Sequence, residues 1–172
     1  MYNVHVGVTN SCWMIAGWNA SLFLEVGYTN TEFSQSANIP HIGGGPTHTD
    51  TLTMEDDVTI VPITFNAKLE RVLTGNLKAY FGAGLGVAWV DDDRSRTLVH
   101  HSNPITSSHT GVSDSDWVFT AQVFAGLSYA VTPNFEIYGG GRWIYLADPN
   151  LFGVDQSVDD DWLLELGARF KF

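Results

Sequence analysis

Apolar and polar residues alternate one by one through most of this chain, and that two-residue period limits its fold more than anything else in the sequence. A helix would need apolar residues at i, i+3 and i+4, a spacing that almost never recurs here, whereas strict alternation marks a strand with two unlike faces. From Thr59 to Leu69 one face collects Thr59, Val61, Ile63, Phe65, Ala67 and Leu69, while the other collects Ile60, Pro62, Thr64, Asn66, Lys68 and Glu70. From Leu77 to Trp89, Leu77, Ala79, Phe81, Ala83, Leu85, Val87 and Trp89 oppose Lys78, Tyr80, Gly82, Gly84, Gly86 and Ala88. Trp117–Val131 repeats the arrangement, Phe135–Ala147 and Trp162–Phe172 follow it, and Leu22–Tyr28 does so more weakly. Tyr2–Ala16 keeps the period until Asn10 interrupts it. Strands are therefore expected at 2–16, 20–32, 58–71, 77–90, 117–131, 134–147 and 160–172, longer than the usual 5–6 residues.

The connections sort by length. Turn-forming residues mark short ones near Asn19, at Leu73–Asn76 and at Thr132–Asn134, and long Gly/Ser/Thr/His/Asp-rich ones run over 33–57, 91–116 and 148–161. A meander with tight turns at one end and long loops at the other is the plan of an outer-membrane barrel. A soluble lipocalin-like barrel would turn the apolar face inward; a membrane barrel turns it outward, with aromatics at both interfaces. Trp89, Trp117, Trp143, Tyr145 and Trp162 gather near the long-loop ends of the apolar face, and Trp18, Tyr129, Phe135, Phe170 and Phe172 near the tight turns. Two such girdles favour the membrane reading, which sends Gly82, Gly84, Gly86, Gly126 and Gly140 into the lumen of a narrow barrel. No stretch has the ~18 consecutive apolar residues of a membrane helix.

The ending Glu165-Leu166-Gly167-Ala168-Arg169-Phe170-Lys171-Phe172 resembles the terminal β-signal of bacterial outer-membrane proteins, with Glu165, Gly167, Phe170 and Phe172 in its polar, glycine and aromatic places. With the meander, the chain resembles the small eight-stranded outer-membrane β-barrel family of Gram-negative bacteria, the outer membrane protein A-like and opacity-type group. That resemblance implies a transmembrane antiparallel up-and-down barrel of the cell envelope, inserted by the outer-membrane assembly machinery that reads such a final strand. It implies no activity by itself. Only seven strands are visible, whereas single-chain bacterial barrels have even numbers, and Met1-Tyr2-Asn3-Val4-His5 lacks the features of a secretory signal. The expectation is that 1–172 is one barrel domain missing its signal and first strand at the N-terminal side. The competing reading pairs 2–8 with 13–18 as a short hairpin, whose strands fall below the roughly 9–11 residues a crossing needs.

Glu25, Glu70, Glu136 and Glu165 share lumen-facing parity with Lys68, Lys78, Arg142, Arg169 and Lys171. Facing lipid at mid-depth, each charge would cost roughly 2–4 kcal/mol. Joining the last strands by pairing 147 with 160 sets Arg142 opposite Glu165 and Glu136 opposite Lys171, and the 73–76 turn sets Glu70 near Lys78. A pore or proton path is one use of such charges; a charge-paired plug in a barrel too narrow for a water channel is the reading preferred.

The net charge of −11 comes from 8 Lys+Arg against 19 Asp+Glu, which argues against a nucleic-acid partner. Fifteen of those acids fall in 30–57, 91–116 and 148–161, against Arg94 and Arg96, so the acidity belongs to the loops and rim. Glu55-Asp56-Asp57, Asp91-Asp92-Asp93, Asp114, Asp116 and Asp159-Asp160-Asp161 sit at the loop mouths. Asp91, Asp92, Asp93, Asp159, Asp160 and Asp161 are the rim-cation candidates, for a loosely held Ca²⁺ or Mg²⁺, although no EF-hand spacing is present; a solvated acidic rim is the plainer reading. His41, His48, His100, His101 and His109 lie in long loops without a recognised ligand spacing. His100, His101, Ser102 and Asp91–Asp93 could be drawn into a rim enzyme's set, but no known motif accompanies them. Gly82–Gly86 lies inside a strand with no helix following, so it is no phosphate loop. Cys12 alone supports neither a disulfide framework nor a multi-cysteine metal site. Pro62 is a misfit in a strand unless a bulge accommodates it.

The sequence thus leads to a non-catalytic outer-membrane barrel with no dedicated cofactor, its long loops extracellular, contacting lipid and lipopolysaccharide in a structural role. A surface adhesin binding a host or matrix ligand through those loops is the alternative.

Overall fold

The computed structural model describes residues 2–40, 49–101, 105–156 and 160–170; Lys171, Phe172, Asp159, His41, His48 and Ser102, singled out above, lie outside them. The chain is all-β. Its strands are β1 (Tyr2–Ile15), β2 (Trp18–Pro40), β3 (Thr49–Thr74), β4 (Leu77–His100), β5 (Thr106–Thr132), β6 (Phe135–Leu146), β7 (Asn150–Leu151), β8 (Val154–Asp155) and β9 (Asp161–Phe170). Seven form one antiparallel sheet in the order β1-β2-β3-β4-β5-β6-β9, and β7 and β8 form a small separate hairpin. Every neighbour in the large sheet is next along the chain but for that hairpin, so the topology is the expected up-and-down meander.

The sheet curls. Side chains from non-adjacent strands meet on its inner face: Arg142 of β6 donates to Glu25 of β2, Gln122 of β5 to Thr64 of β3, and Tyr80 of β4 to Glu165 of β9. A flat sheet would hold these strands several spacings of about 4.8 Å apart. Glycines make room on the concave side. A Cβ at Gly126 would lie 2.3 Å from the Gly139 carbonyl oxygen and 2.5 Å from the Tyr80 hydroxyl, so the Tyr80 ring occupies the space that this glycine leaves.

Three expectations are corrected and one competing reading is excluded. The segments 33–57 and 91–116 are for the most part not loops, because β2 and β3 pair as far as Pro40↔Thr49, and β4 and β5 as far as His100↔Thr106. Beyond the level of Thr29, Ile60, Val90 and Asp116, these strands continue as a four-stranded projection of 10 or 11 residues each, roughly 35 Å at about 3.4 Å per residue. The alternation there is weaker, because polar residues join Phe33, Leu52, Met54 and Val112 on the lumen-side face and the outer strands β2 and β5 are largely exposed. Second, the first turn is Ala16-Gly17, both at positive φ (50° and 81°), with Asn19 already in β2. Third, Tyr2–Thr9 pair with Ser21–Tyr28, so the short hairpin of 2–8 against 13–18 does not form. The interruption felt at Asn10 is a register shift between Thr9 and Met14. Fourth, Pro62 needs no bulge: it pairs in regular register with Ala88, and the β2–β3 ladder lapses between Val26↔Ile63 and Thr29↔Ile60, where the missing N–H has no acceptor to serve.

Candidate functional site

The interior is the most heavily built polar region of the molecule. Glu25, Asn66, Lys68, Gln122, Glu136 and Arg142 are all buried, whereas Leu164 and Leu166 on the other face of β9 are 96 % and 90 % exposed. Parity produces this, since lumen-facing and outward residues alternate along each strand.

Three layers fill the inner face. Nearest the tight turns, Lys68 Nζ donates to Glu70 Oε2 (2.9 Å) and Lys78 Nζ to Glu70 Oε1 (3.0 Å), and Lys78 also binds Glu136. Arg169 Nη1 stands 3.5 Å from Glu136 and 3.7 Å from Glu70, close enough to pair but not to bond well. In the middle, Arg142 gathers three acceptors: Glu25 Oε1 (2.5 Å), Gln122 Oε1 (2.7 Å) and Glu165 Oε2, which takes both Nε (3.0 Å) and Nη2 (2.8 Å). Its guanidinium lies over the Phe124 ring at 5.2 Å. Gln122 Nε2 passes the network to Asn66 Oδ1 (2.6 Å) and Thr64 Oγ1 (3.0 Å), and the Tyr80 hydroxyl donates to Glu165 Oε1 (2.9 Å).

The third layer, at the mouth, is apolar. Ala88, Val90, Val118, Leu146 and Leu151 form a buried cluster with Val58, Ile60, Ala147 and Phe152 packed against it. Leu151 and Phe152 come from the 148–161 connection, which folds back over the mouth as the β7–β8 hairpin. The hairpin is tied down by the Asn150 and Phe152 N–H groups, which donate to Asp116 Oδ2 (2.9 Å) and Asp114 Oδ2 (2.5 Å). Arg94 Nη2 also donates to Gln156 Oε1 (3.0 Å). This stopper has no obvious signal in the sequence, because Leu151 and Phe152 sit in a connection rather than in a periodic segment.

The sequence placed the interior charges on the correct face and paired Arg142 with Glu165, but misjudged the register of the last two strands. The β6–β9 register is two residues from that expected: Arg142 lies opposite Leu163 and Glu136 opposite Arg169, while Glu165 lies opposite Gly140. Arg142 reaches Glu165 across the diagonal, and Glu136 takes Lys78 and Arg169. Glu70 and Lys78 meet as expected. Of the residues that resemble a terminal β-signal, Glu165, Gly167 and Phe170 lie in β9, where the Phe170 ring packs 4.9 Å from Phe135.

Of the rim acids, Asp56, Asp57, Asp91, Asp92 and Asp93 lie near one another on β3 and β4, and Asp159 lies outside the described residues. Asp91, Asp92 and Asp93 are consecutive strand residues and alternate between faces; Asp92 turns inward, accepting from Arg94 Nη2 (2.6 Å) and Nε (3.2 Å). Asp161 begins β9, with Asp160 just before it. Among the described residues no group of three His, Cys, Asp or Glu is arranged to hold a metal. His100 Nδ1 pairs with the fully buried Asp50 (2.9 Å), and His109 Nδ1 with Thr97 Oγ1 (3.0 Å).

Burial, then hydrogen bonding to Asp56, holds the Asp92 carboxyl above its ordinary range; burial, then the charges of Asp93, Asp92 and Asp57, does the same to Asp91. Raised values mean that folding favours the protonated forms, so this stabilisation is present at acid pH and lost as pH rises through the folded values. The contribution of these two carboxyls to the urea midpoint is expected to grow as pH falls from neutrality toward the ordinary aspartate value of about 3.9. Asp91→Asn is expected to raise the midpoint at pH 7 and flatten the profile. A gap between variant and parent that fails to narrow over that interval contradicts this reading of the rim.

A curled antiparallel sheet around a charge-paired interior, stoppered at one end, defines the class of protein. No family model matches the chain. It is similar to uncharacterized proteins of Brucella abortus, Brucella suis and Brucella melitensis, each 32% identical over 96 residues, which is 54% of this chain and 32% of each relative. The chain spans about a third of the length of the curated relatives it matches. No solved structure matches.

Proposed function

We propose that this chain is an integral outer-membrane β-barrel of the eight-stranded type, non-catalytic, which anchors a projecting sheet at the cell surface. The observation that carries the reading is the inversion of polarity: charges are paired inside, while Leu24, Phe65, Leu85, Phe119, Leu164 and Leu166 stand exposed outside. In water, an apolar face of that extent is a liability; against hydrocarbon it is the required surface. The aromatics support it, with Trp89 opposite Trp117 and Trp143 opposite Trp162 toward the mouth, and Phe135 against Phe170 near the tight turns. The partners on this reading are lipid, lipopolysaccharide and the assembly machinery that reads the last strand.

Reconstitution into liposomes tests it. The folded chain is expected to migrate faster than its boiled form in gels, and protease should remove the projecting hairpins while leaving the core strands protected. Complete digestion would overturn the reading. The stacked salt bridges and the apolar stopper favour a plug over a pore, so planar bilayers should show no reproducible open channels; steady unitary conductance would refute the plug.

The projecting four-stranded sheet favours a second reading, in which surface recognition is the main task and the barrel is its anchor. Removing residues 32–56 and 92–114 should then abolish attachment to host cells or matrix while leaving barrel migration intact, and attachment that survives would argue against it.

A further inference from the structure

Seven strands make an odd meander, and the direction of its two edges follows from that count. β1 runs from Tyr2 at the mouth end to the tight turn at Ala16-Gly17, and β9 runs the same way, from Asp161 toward Phe170 opposite Phe135. The two free edges are therefore parallel to each other, and no pairing joins them among the described residues.

The open side of β9 shows in its side chains. Outward Leu164 and Leu166 are 96 % and 90 % exposed, against 62 % and 49 % for outward Leu85 and Leu127, which have a strand on either side. On the inner face of β9, Arg169 Nη1 is buried with no hydrogen-bond partner among the described residues. Below the projection β2 to β6 have neighbours on both sides, so the unused backbone donors and acceptors of the wall collect along the seam between β1 and β9.

We propose that this seam is a strand-binding site, which takes one extended polypeptide segment from outside residues 1–172, running from the tight-turn end to the mouth and so antiparallel to both edges. The assignment rests on the membrane reading above. At membrane depth no water reaches an edge, and each backbone group left unsatisfied costs several kcal/mol; a lipid chain has nothing to offer those groups. Closing β1 directly on β9 gives a parallel ladder, the slightly weaker kind, in a sheet that is antiparallel everywhere else. A second copy inserted the same way up meets the same limit. Antiparallel pairing of β9 with another β9 needs a two-fold axis in the membrane plane, which sets the two projections on opposite sides of the bilayer. One opposed strand serves both edges, and strand addition to an open edge is an established mode of peptide binding. Such a strand needs roughly 9–11 residues to cross, and within 1–172 the longest interval between described strands, 41–48, is shorter. Its outward residues are apolar, beside Leu164 and Leu166, and its inward ones small or polar, with a hydrogen-bond acceptor level with Arg169.

The full chain, folded in detergent micelles, is mixed with the peptide QVSLTLGVTLN, which alternates as required, or with LVLTSQVGLTN, the same residues without the alternation. The first is expected to raise the urea midpoint in proportion to its concentration, and the second to leave it unchanged. Direction is read by disulfide trapping in a Cys12→Ser background, since a disulfide needs Cα atoms within about 7 Å. The peptide QCSLTLGVTLN is expected to link to Ala168→Cys near the tight turns, and QVSLTLGCTLN to Trp162→Cys near the mouth, each at severalfold the yield of the exchanged combinations. Exchanged or equal linking overturns the proposal, as does a midpoint that both peptides raise alike. So does exchange protection of every amide from Leu163 to Ala168 in the chain alone, the sign of edges closed on each other or on a second copy. Protease protection in liposomes is scored separately: a chain that inserts but takes no peptide loses this inference alone, and one that takes the peptide but never inserts loses the membrane reading.

Discussion

Replacing Arg142 with methionine is expected to lower stability by about 3–5 kcal/mol, the range for removing one partner of a buried ion pair. Arg142 is the shared cation of Glu25 and Glu165 and the donor that orients Gln122. Without it two carboxylates stay inside with no counterion at hand, and the Gln122–Asn66–Thr64 chain loses its fixed end. The loss comes from the stranded charges rather than from the absent bond, so the triple variant Glu25→Gln, Arg142→Met, Glu165→Gln should recover most of it. Urea midpoints of the two variants and the parent, read from gel migration, provide the comparison. A single variant within about 1 kcal/mol of the parent would mean that water already screens these groups, as at exposed pairs. The interior would then be a wet channel rather than a plug.

Leu164→Arg separates the two polarities the sheet could have. Leu164 is 96 % exposed, and in a water-soluble protein a change at such a position falls within about ±0.5 kcal/mol. Facing hydrocarbon near mid-depth, an arginine costs roughly 2–4 kcal/mol. Leu164 pairs with Gly141, one outward position inside Trp162 on a face that runs on to Phe170, so the cost is expected toward the lower end of that range. The expected result is a marked loss of folding yield into liposomes at parental yield in urea. Asp161→Arg, at the mouth end of the same strand, should have little effect. Equal yields for both variants would place the outer face in water and overturn the membrane proposal.

Much of the fold was legible because a period of two ties every residue to a face wherever its strand ends. Glu25, Lys68, Glu70, Lys78, Glu136, Arg142, Glu165, Arg169 and Lys171 were put on the inner face by parity alone, and all but Lys171, which lies outside the described residues, are found there. Gly84 and Gly126 were legible for the same reason: small residues at inward positions imply something large opposite, which proved to be Asn66 and Tyr80. The full length of β2–β5 was not legible. Past Thr29 and Ile60 polar residues enter both faces and the alternation weakens, while the backbone ladder continues because each partner is already adjacent.

What the sequence determined by itself is therefore local: strands rather than helices, two unlike faces, and the side on which every charge stands. What only the tertiary structure decided is who meets whom. A two-residue slip between β6 and β9 keeps every side chain on its face, so no pattern could distinguish Arg142 opposite Glu165 from Arg142 opposite Leu163. The curl of the sheet then brought Glu25 to Arg142 across 117 residues of chain and laid the β7–β8 hairpin over the mouth. Parity is a property of one strand, whereas register and curvature belong to the whole sheet and are settled by how its interior packs.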